Sequence, residues 1–429
     1  MRKHLRRTRR KLFSLKAWKV RLVFWAGAFL VGAVCALFAI LSDWADGLFH
    51  KASTLSPWIP LLLTPAGLFA IAWLTHNQFP GAQGSGIPQA IAALEMRGKN
   101  TILSMRIAIG KILLTVLGLA SGASIGREGP SVHVGASIMF SLGRYAHFPA
   151  HYMERGLILA GGAAGIAAAF NTPLAGIVFA IEEMNKSFEQ RSSGIVTTAV
   201  VFSGLVALAI LGQYYYFGTS NASITAPGDW AAVPVCGIVG GLLGGLFTLS
   251  LLTLTQAMAP AIRRHPYLVA AACGLAVALV SYASDYQTSG TGYHAAKAII
   301  TETAEYDPWF PFLKMIATLG SYLSGIPGGI FAPSLATGAG VGMNLAHWLP
   351  VAPLSVMVIL GMLAFFSGVV QSPITAFVIV MEMINNQDML LAMMATSFIA
   401  YGTSHLVCPK PLYHTLASAF MSPGGKSTG

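Results

Sequence analysis

The sequence predicts an all-α polytopic membrane protein, and three observations support this fold class. Hydrophobic residues make up 55% of the 429 residues and charged residues only 10%, and the mean hydropathy is +0.66. Stretches without a charged residue that exceed one membrane span recur at 192–228, 230–262 and 315–381. The two halves of the chain also resemble each other. A soluble core needs no such apolar stretches, so several membrane crossings are expected.

Basic residues are concentrated at the N-terminus. Segment 1–21, MRKHLRRTRRKLFSLKAWKVR, contains no acidic side chain, and the apolar run 22–41 that follows is long enough to span a membrane. The positive-inside rule therefore predicts a cytoplasmic N-terminal tail rather than an arm that binds nucleic acid. A cleaved signal peptide is disfavoured, because its apolar region is usually only about 7–15 residues long.

An internal repeat is visible when segment 161–184 is laid on segment 361–384. The offset of 200 residues is constant over the whole segment. It superimposes five identical residues, namely Gly161 on Gly361, Ala164 on Ala364, Pro173 on Pro373, Val178 on Val378 and Glu182 on Glu382. This agreement exceeds what biased composition explains, and we interpret it as duplication.

A second match relates SIGREGPSVHVGA to GIPGGIFAPSLATGA, with Pro130 on Pro333 and Gly135 on Gly338 at an offset of 203. Transporters built from repeats commonly place the substrate site at the repeat interface. The predicted organisation has five parts, namely a basic tail 1–21, a first membrane repeat 22–218, a polar connection 219–229, a second membrane repeat 230–420 and a short tail 421–429.

Three glycine-rich segments end in proline before a helix-compatible run: GSGIP at 84–88, GREGP at 126–130 and GGIFAP at 328–333. Proline suits the first helical position, and glycine lets the backbone approach a ligand closely. Each loop can therefore direct free N–H groups and the positive end of a helix dipole at an anion. The alternative is that they are ordinary breaks in membrane helices. Three together, two of them related by the repeat, favour an anion site.

Glu128 is a carboxylate beside one of these predicted helix starts. It can occupy the place of a permeating anion and so act as a tethered gate. The alternative is a static ion pair or helix cap that it forms with Arg127. In the second half the aligned residue is Phe331, so only one copy carries an acid. Protonation would weaken the hold of the carboxylate, so gating should depend on pH and could couple anion and proton movement.

The pattern of reactive side chains argues against an enzyme. A hydrolase would need a nucleophile with a nearby base or a metal pair such as HExxH, and neither pattern occurs. The cysteines occur singly and predict small buried hydrophobes, and isolated histidines such as His133 and His347 do not indicate a ligand set. These cysteines are Cys35, Cys236, Cys273 and Cys408. We therefore predict no metal, no cofactor and no catalytic residues.

GSGIP, GREGP and GGIFAP, in this order and with this repeat, resemble the signature segments of the CLC chloride channel and transporter family over nearly the whole chain. The resemblance implies two inverted repeats of tilted and broken transmembrane helices. It also implies a homodimer in the lipid bilayer of a bacterial inner membrane, with one chloride pathway in each subunit and no nucleic-acid partner. The paired cytoplasmic CBS domains of many eukaryotic relatives are not expected.

The resemblance also implies the residues of the anion site. Ser85 matches the serine whose hydroxyl contacts the central chloride, and Tyr413 matches the tyrosine whose phenol completes that site. Ile330 and Phe331 match the positions whose backbone N–H groups face the anion, and Glu128 matches the external gating glutamate. Without the resemblance, Tyr413 would be taken as an interfacial aromatic residue. Serine at position 85 argues against the fluoride-exporting branch of the family.

Glu183 matches the internal glutamate that transfers protons in the family's exchangers, where simple channels typically carry an apolar residue. The resemblance thus favours chloride/proton exchange, and an electrical shunt for proton pumping in acid stress is one role it would permit. Two alternatives stay open, namely a voltage-gated chloride channel without proton coupling, and a merely solvated helix end formed by residues 182–191. Gln89 stands where many relatives carry an acid, which leaves the external proton route open.

Overall fold

The computed structural model describes residues 15–96, 102–145, 150–184, 190–212 and 215–421. Most of them are helical, and no β-strand occurs among them. The helices are α1 (Leu15–Leu55), α2 (Trp58–Asn77), α3 (Ile87–Glu95), α4 (Met105–Ala120), α5 (Glu128–Tyr145), α6 (Ala150–Phe170), α7 (Pro173–Phe179), α8 (Gln190–Leu211), α9 (Ala232–Arg264), α10 (Pro266–Ala283), α11 (Tyr293–Ile300), α12 (Phe310–Leu323), α13 (Phe331–Trp348), α14 (Leu354–Val370), α15 (Pro373–Ile384), α16 (Leu390–Val407) and α17 (Leu412–Met421). A π-helical turn, Ala180–Met184, continues α7.

Six helical segments of the described chain are long and apolar enough to cross a membrane. They are Arg21–Leu55, Trp58–Asn77, Gly194–Leu211, Pro227–Arg264, Pro266–Ala283 and Leu390–Val407. The predicted all-α polytopic class is confirmed. Most of the predicted N-terminal tail, residues 1–14, and nearly all of the C-terminal tail, residues 422–429, lie outside the described residues.

Two of the shorter helices are buried on every side. Every residue of α14 from Val356 to Val370 is buried, and so is every residue of α13 from Phe331 to Leu345. Other helices therefore enclose these two, which form the core around which the long helices pack. All four cysteines are buried free thiols, as the sequence predicted.

The helix packing repeats between the halves. α5 crosses α6 where Gly135 meets Gly161, and a Cβ atom on Gly135 would strike the Gly161 carbonyl oxygen. α13 crosses α14 where Gly338 meets Gly361, and a Cβ atom on Gly338 would likewise meet the Gly361 carbonyl. Small residues allow membrane helices to approach this closely. The sequence alignment paired these same glycines, so the duplicated segments pack in the same way.

α7 and α15 lie antiparallel. This is shown by two acids, each near the C-terminal end of one helix and each capping the start of the other helix. Glu182, beyond α7, accepts hydrogen bonds from the first turn of α15, and Glu382, in the last turn of α15, accepts them from the first turn of α7. The four bonds join Ile374 N to Glu182 Oε1 (3.0 Å), Thr375 N to Glu182 Oε2 (2.5 Å), Leu174 N to Glu382 Oε1 (3.1 Å) and Ala175 N to Glu382 Oε2 (2.8 Å). This exchange relates the two halves as inverted repeats.

Candidate anion site

The three glycine-rich loops meet at one place. Gly126 N donates to Gly329 O and Gly329 N donates to Gly126 O, both at 2.7 Å. Gly84 N donates to Ile326 O at 3.2 Å, and Gly328 N donates to Gly84 O at 3.3 Å. These pairs form isolated β-bridges. The loop from the second half is therefore hydrogen-bonded to both loops from the first half.

Each loop leads into a helix, since α3 begins at Ile87, α5 at Glu128 and α13 at Phe331. The prolines lie one or two residues further into the helices than the first position that the sequence analysis assigned. Proline is tolerated there because the N–H groups of the first turn have no intrahelical acceptor to lose. The second residue of α3 is Pro88, and the third residues of α5 and α13 are Pro130 and Pro333.

Ser85 and Tyr413 lie together although they are far apart in the sequence. Each is only 1% exposed. The Ser85 hydroxyl lies close to the Tyr413 phenol. Neither oxygen has a hydrogen-bond partner among the described residues. A buried polar group without a partner costs about 1–3 kcal/mol, so two at one position indicate a place for a ligand that accepts both hydrogen bonds.

Ile330 and Phe331 form the start of α13 beside Tyr413. Ile330 is the capping residue and Phe331 the first helical residue, so their N–H groups belong to the set without an intrahelical acceptor. The Phe331 and Tyr413 ring centroids are 5.7 Å apart. Other aromatic rings enclose Phe331, at centroid distances of 6.5 Å for Phe170, 6.2 Å for Phe179 and 4.9 Å for Phe366. The fold thus brings all four predicted anion-binding positions together.

Glu128 opens α5 and is completely buried. Its carboxylate folds back against Gly126, so that a Cβ atom on that glycine would overlap Oε2. The backbone N–H groups of Glu128 itself and of Ala332 lie close enough to stabilise its negative charge. Neither carboxylate oxygen forms a hydrogen bond within the described chain. The carboxylate therefore lies between the N-termini of α5 and α13, where a bound anion would also be stabilised.

Arg127 directs its guanidinium towards α1. Its Nη1 donates to Asp43 Oδ1 at 2.6 Å and to the Ala39 carbonyl at 2.9 Å. The guanidinium also lies over the Tyr216 ring, 5.8 Å from its centroid. The sequence analysis offered a pair between Arg127 and Glu128 as an alternative, whereas the ion pair seen in the structure joins Arg127 to Asp43. Arg127 remains the largest positive influence on the Glu128 carboxylate.

Glu183 lies in the π-helical turn and is 3% exposed. Its Oε2 accepts a hydrogen bond from the Ser372 hydroxyl, and its backbone carbonyl accepts one from His414 Nε2 at 3.0 Å. The Tyr413 phenol is within electrostatic range of Glu183 and also of Glu128. The burial of Glu183 does not fit a merely solvated helix end. Other members of that polar run, Lys186, Glu189 and the side chain of Arg191, lie outside what the structure describes.

Two buried lysines brace corresponding loops, and the sequence analysis missed both. Lys111, on α4, supports the Ser85 loop, and Lys314, on α12, supports the loop before α11. Lys314 follows Lys111 by 203 residues, the offset that relates Pro130 to Pro333, so extending that alignment would have found the pair. The bonds run from Lys111 Nζ to Gln83 O (3.3 Å) and Gly84 O (2.9 Å), and from Lys314 Nζ to Thr288 O (2.9 Å), Ser289 O (3.3 Å) and Gly290 O (3.0 Å).

A cavity of about 170 Å³ has Ser85 in its wall. Gln89, Arg263 and Tyr322 contribute to its wall. Arg263 is the one charged residue among the described residues of this wall.

Comparison with known proteins agrees with this geometry. Residues 66–405 match the family described as voltage gated chloride channel. The H(+)/Cl(-) exchange transporter ClcA of Vibrio vulnificus is 31% identical over 382 residues, which covers 84% of this chain and 79% of the relative. The ClcA of Yersinia pseudotuberculosis is 31% identical over 436 residues, covering 93% of this chain and 88% of the relative.

Among solved structures, a slow cyanobacterial Cl-/H+ antiporter matches with a TM-score of 0.81 at 23% identity, over 94% of this chain and 99% of that one. A CLC-type fluoride/proton antiporter matches with the same TM-score of 0.81 at 22% identity and the same coverage, 94% and 99%. The chain therefore belongs to the CLC family of chloride channels and transporters.

Proposed function

We propose that this protein exchanges chloride for protons across the bacterial inner membrane. The observation that carries the proposal is a set of buried polar groups without a hydrogen-bond partner in the described chain, namely the Ser85 hydroxyl, the Tyr413 phenol and the Glu128 carboxylate. Two neutral donors suit a site through which an anion must pass, because a full positive charge would hold it too tightly. The exchange activity named for the ClcA relatives supports the same reading.

Glu128 and chloride compete for one position in this mechanism. The ionised carboxylate is stabilised by the N–H groups and dipoles at the starts of α5 and α13, and a chloride ion would be stabilised by the same groups. When Glu128 takes up a proton it loses its charge, so it can leave and let the anion pass. Movement of the anion is thereby linked to a proton.

Glu183 supplies the proton from the opposite side in this proposal. It is buried, and Tyr413 lies within electrostatic range of both acids. A proton that Glu183 accepts from the cytoplasm passes to Glu128 and leaves on the far side, while chloride moves in the other direction. A voltage-gated chloride channel, the second candidate, would use the same anion site and leave Glu183 without this role.

The setting of the exchanger completes the proposal. We place the N-terminus in the cytoplasm, the repeats at 22–218 and 230–420 with their connection at 219–229, and two copies in a homodimer. The Ser85 hydroxyl supports chloride rather than fluoride as the substrate. In acid stress such a protein would act as an electrical shunt for proton pumping. That role predicts poorer survival in extreme acid when the gene is deleted in cells without a related transporter.

Proton uptake by liposomes that contain the purified protein tests the central proposal. A chloride gradient is the only driving force, and Glu183→Ala is the control. We expect protons to move against their own gradient, and we expect this movement to be lost in the variant while chloride still flows. Chloride flux without any proton movement in the parent protein would establish the channel instead.

A further inference from the structure

Ser372 lies against Glu183 at the start of α15. It is the N-cap residue of that helix and is 4% exposed. An N-cap serine usually accepts a hydrogen bond from the N–H of the second or third helical residue. Ser372 makes no such bond to its own helix in the described chain. Its hydroxyl instead donates to Glu183 Oε2.

The Ser372 hydroxyl does not cap its own helix, because another group takes that place. The N–H groups of Ile374 and Thr375, which an N-cap serine would normally bond, both donate to Glu182. Two consecutive acids therefore divide the start of α15 between them. Glu182 takes the backbone donors, and Glu183 takes the side-chain donor.

The first half of the chain contains the same arrangement without the second acid. Glu382 takes the backbone donors at the start of α7, whose N-cap residue is Thr172. Thr172 is completely buried, and its hydroxyl oxygen has no partner among the described residues. Met383 stands at the position that the 200-residue offset pairs with Glu183. Of the two repeats, only one thus has an N-cap hydroxyl, that of Ser372, hydrogen-bonded to a carboxylate.

We propose that Ser372 is a positioning residue for proton transfer, whose hydroxyl holds the Glu183 carboxylate in the orientation from which it passes protons. This inference rests on the proposed function, in which Glu183 carries the proton. A glutamate has three side-chain torsions, and a hydrogen bond to a buried hydroxyl selects one arrangement among them. The hydroxyl gains and loses no proton itself.

The effect of Ser372 should fall on protons and spare chloride. Its hydroxyl contacts Glu183, whereas the donors assigned to the anion come from Ser85, Tyr413 and the start of α13. Loss of the hydroxyl therefore changes the ratio of chloride to protons transported. A serine that merely stabilised α15 would lower both fluxes together.

The test compares initial chloride and proton fluxes of the full-length protein in liposomes. Ser372→Ala removes the hydroxyl, Ser372→Thr keeps it, and Thr172→Val removes the matching hydroxyl in the other half. We expect Ser372→Ala to slow proton flux about tenfold or more, the size of losing one hydrogen bond to a charged group, and to leave chloride flux within about twofold. Ser372→Thr should restore the proton flux, and Thr172→Val should behave like the parent.

The inference would be overturned if Ser372→Ala kept the flux ratio of the parent protein, or if Thr172→Val changed that ratio as much as Ser372→Ala does. If Ser372→Ala does not fold, Ser372→Val and Ser372→Thr form a pair of nearly equal shape that differs in the hydroxyl, and equal ratios in that pair would overturn it as well. Glu183→Gln distinguishes a failure of the proposed function from a failure of this inference. Failure of the parent to pump protons, or pumping by Glu183→Gln, defeats the proposed function, whereas failure of the Ser372 variants alone defeats only this inference.

Discussion

The reciprocal caps of α7 and α15 predict that two distant substitutions lower stability by the same amount and leave the ratio of proton to chloride flux unchanged. Glu182→Ala frees two backbone N–H groups at the start of α15, and Glu382→Ala frees two at the start of α7. Both acids are only half-buried, so each hydrogen bond is assigned the low end of its range, about 1.5 kcal/mol. The N-cap hydroxyl oxygen, of Ser372 or Thr172, can then accept one of these N–H groups, which recovers about 1 kcal/mol. Each variant should therefore lose about 2 kcal/mol of unfolding free energy.

Transport should not distinguish the two variants. The Ser372 hydroxyl donates to Glu183 through its hydrogen and can accept a helix N–H through a lone pair, so in Glu182→Ala it keeps its contact with Glu183. In Glu382→Ala the Thr172 hydroxyl can accept an N–H in the same way. The ratio of the fluxes should therefore stay at the parent value in both variants, unlike in Ser372→Ala.

Both quantities can be measured on one preparation. Unfolding free energies come from reversible titration with SDS in mixed micelles, followed by tryptophan fluorescence, and flux ratios come from liposomes. Glu182→Gln and Glu382→Gln, which keep one acceptor oxygen, should lose less stability than the alanine variants. Unfolding free energies that differ by more than about 1 kcal/mol between the two alanine variants, or a shifted flux ratio in either of them, would refute the reasoning.

Two further predictions concern the anion site itself. Lys111→Met leaves the carbonyls of Gln83 and Gly84 without their donor, so the Ser85 loop should loosen. Chloride should then bind about tenfold more weakly, as measured by calorimetry. The matched variant Lys314→Met should leave the chloride affinity within about twofold. Unchanged affinity in Lys111→Met would contradict this support. Glu128→Gln removes the titrating charge between α5 and α13, so chloride flux should lose its pH dependence and proton coupling should disappear. A pH profile like that of the parent would show that another group is the gate.

The sequence was sufficient for features that repeat or that lie within a short segment. Identical residues at a constant offset predicted the duplication, and the structure confirms it where Gly135 meets Gly161 and Gly338 meets Gly361. The glycine and proline patterns predicted three helix starts, and helices begin there. Local chemistry fixed these features, because glycine and proline restrict the backbone wherever they occur.

Contacts between distant segments could not be predicted from such local patterns. The alignment paired Glu182 with Glu382, but equivalence in a repeat does not state which helix each carboxylate caps. Lys111 was overlooked because a lysine near an apolar run is usually a residue whose ammonium reaches the membrane surface. Tyr413 was identified only through the family resemblance, since nothing in its own segment separates it from an interfacial tyrosine.

The paired hydrogen bonds between Gly126 and Gly329 also have a consequence for how the protein is made. They join residues 203 positions apart, so the first loop is synthesised well before its partner. Until the second loop is present, the backbone groups of the first lack these hydrogen bonds, and a lipid environment offers few others. The proposed anion site also includes Tyr413, so it can be complete only after residue 413 has been made. A chain that stops halfway therefore cannot form the site.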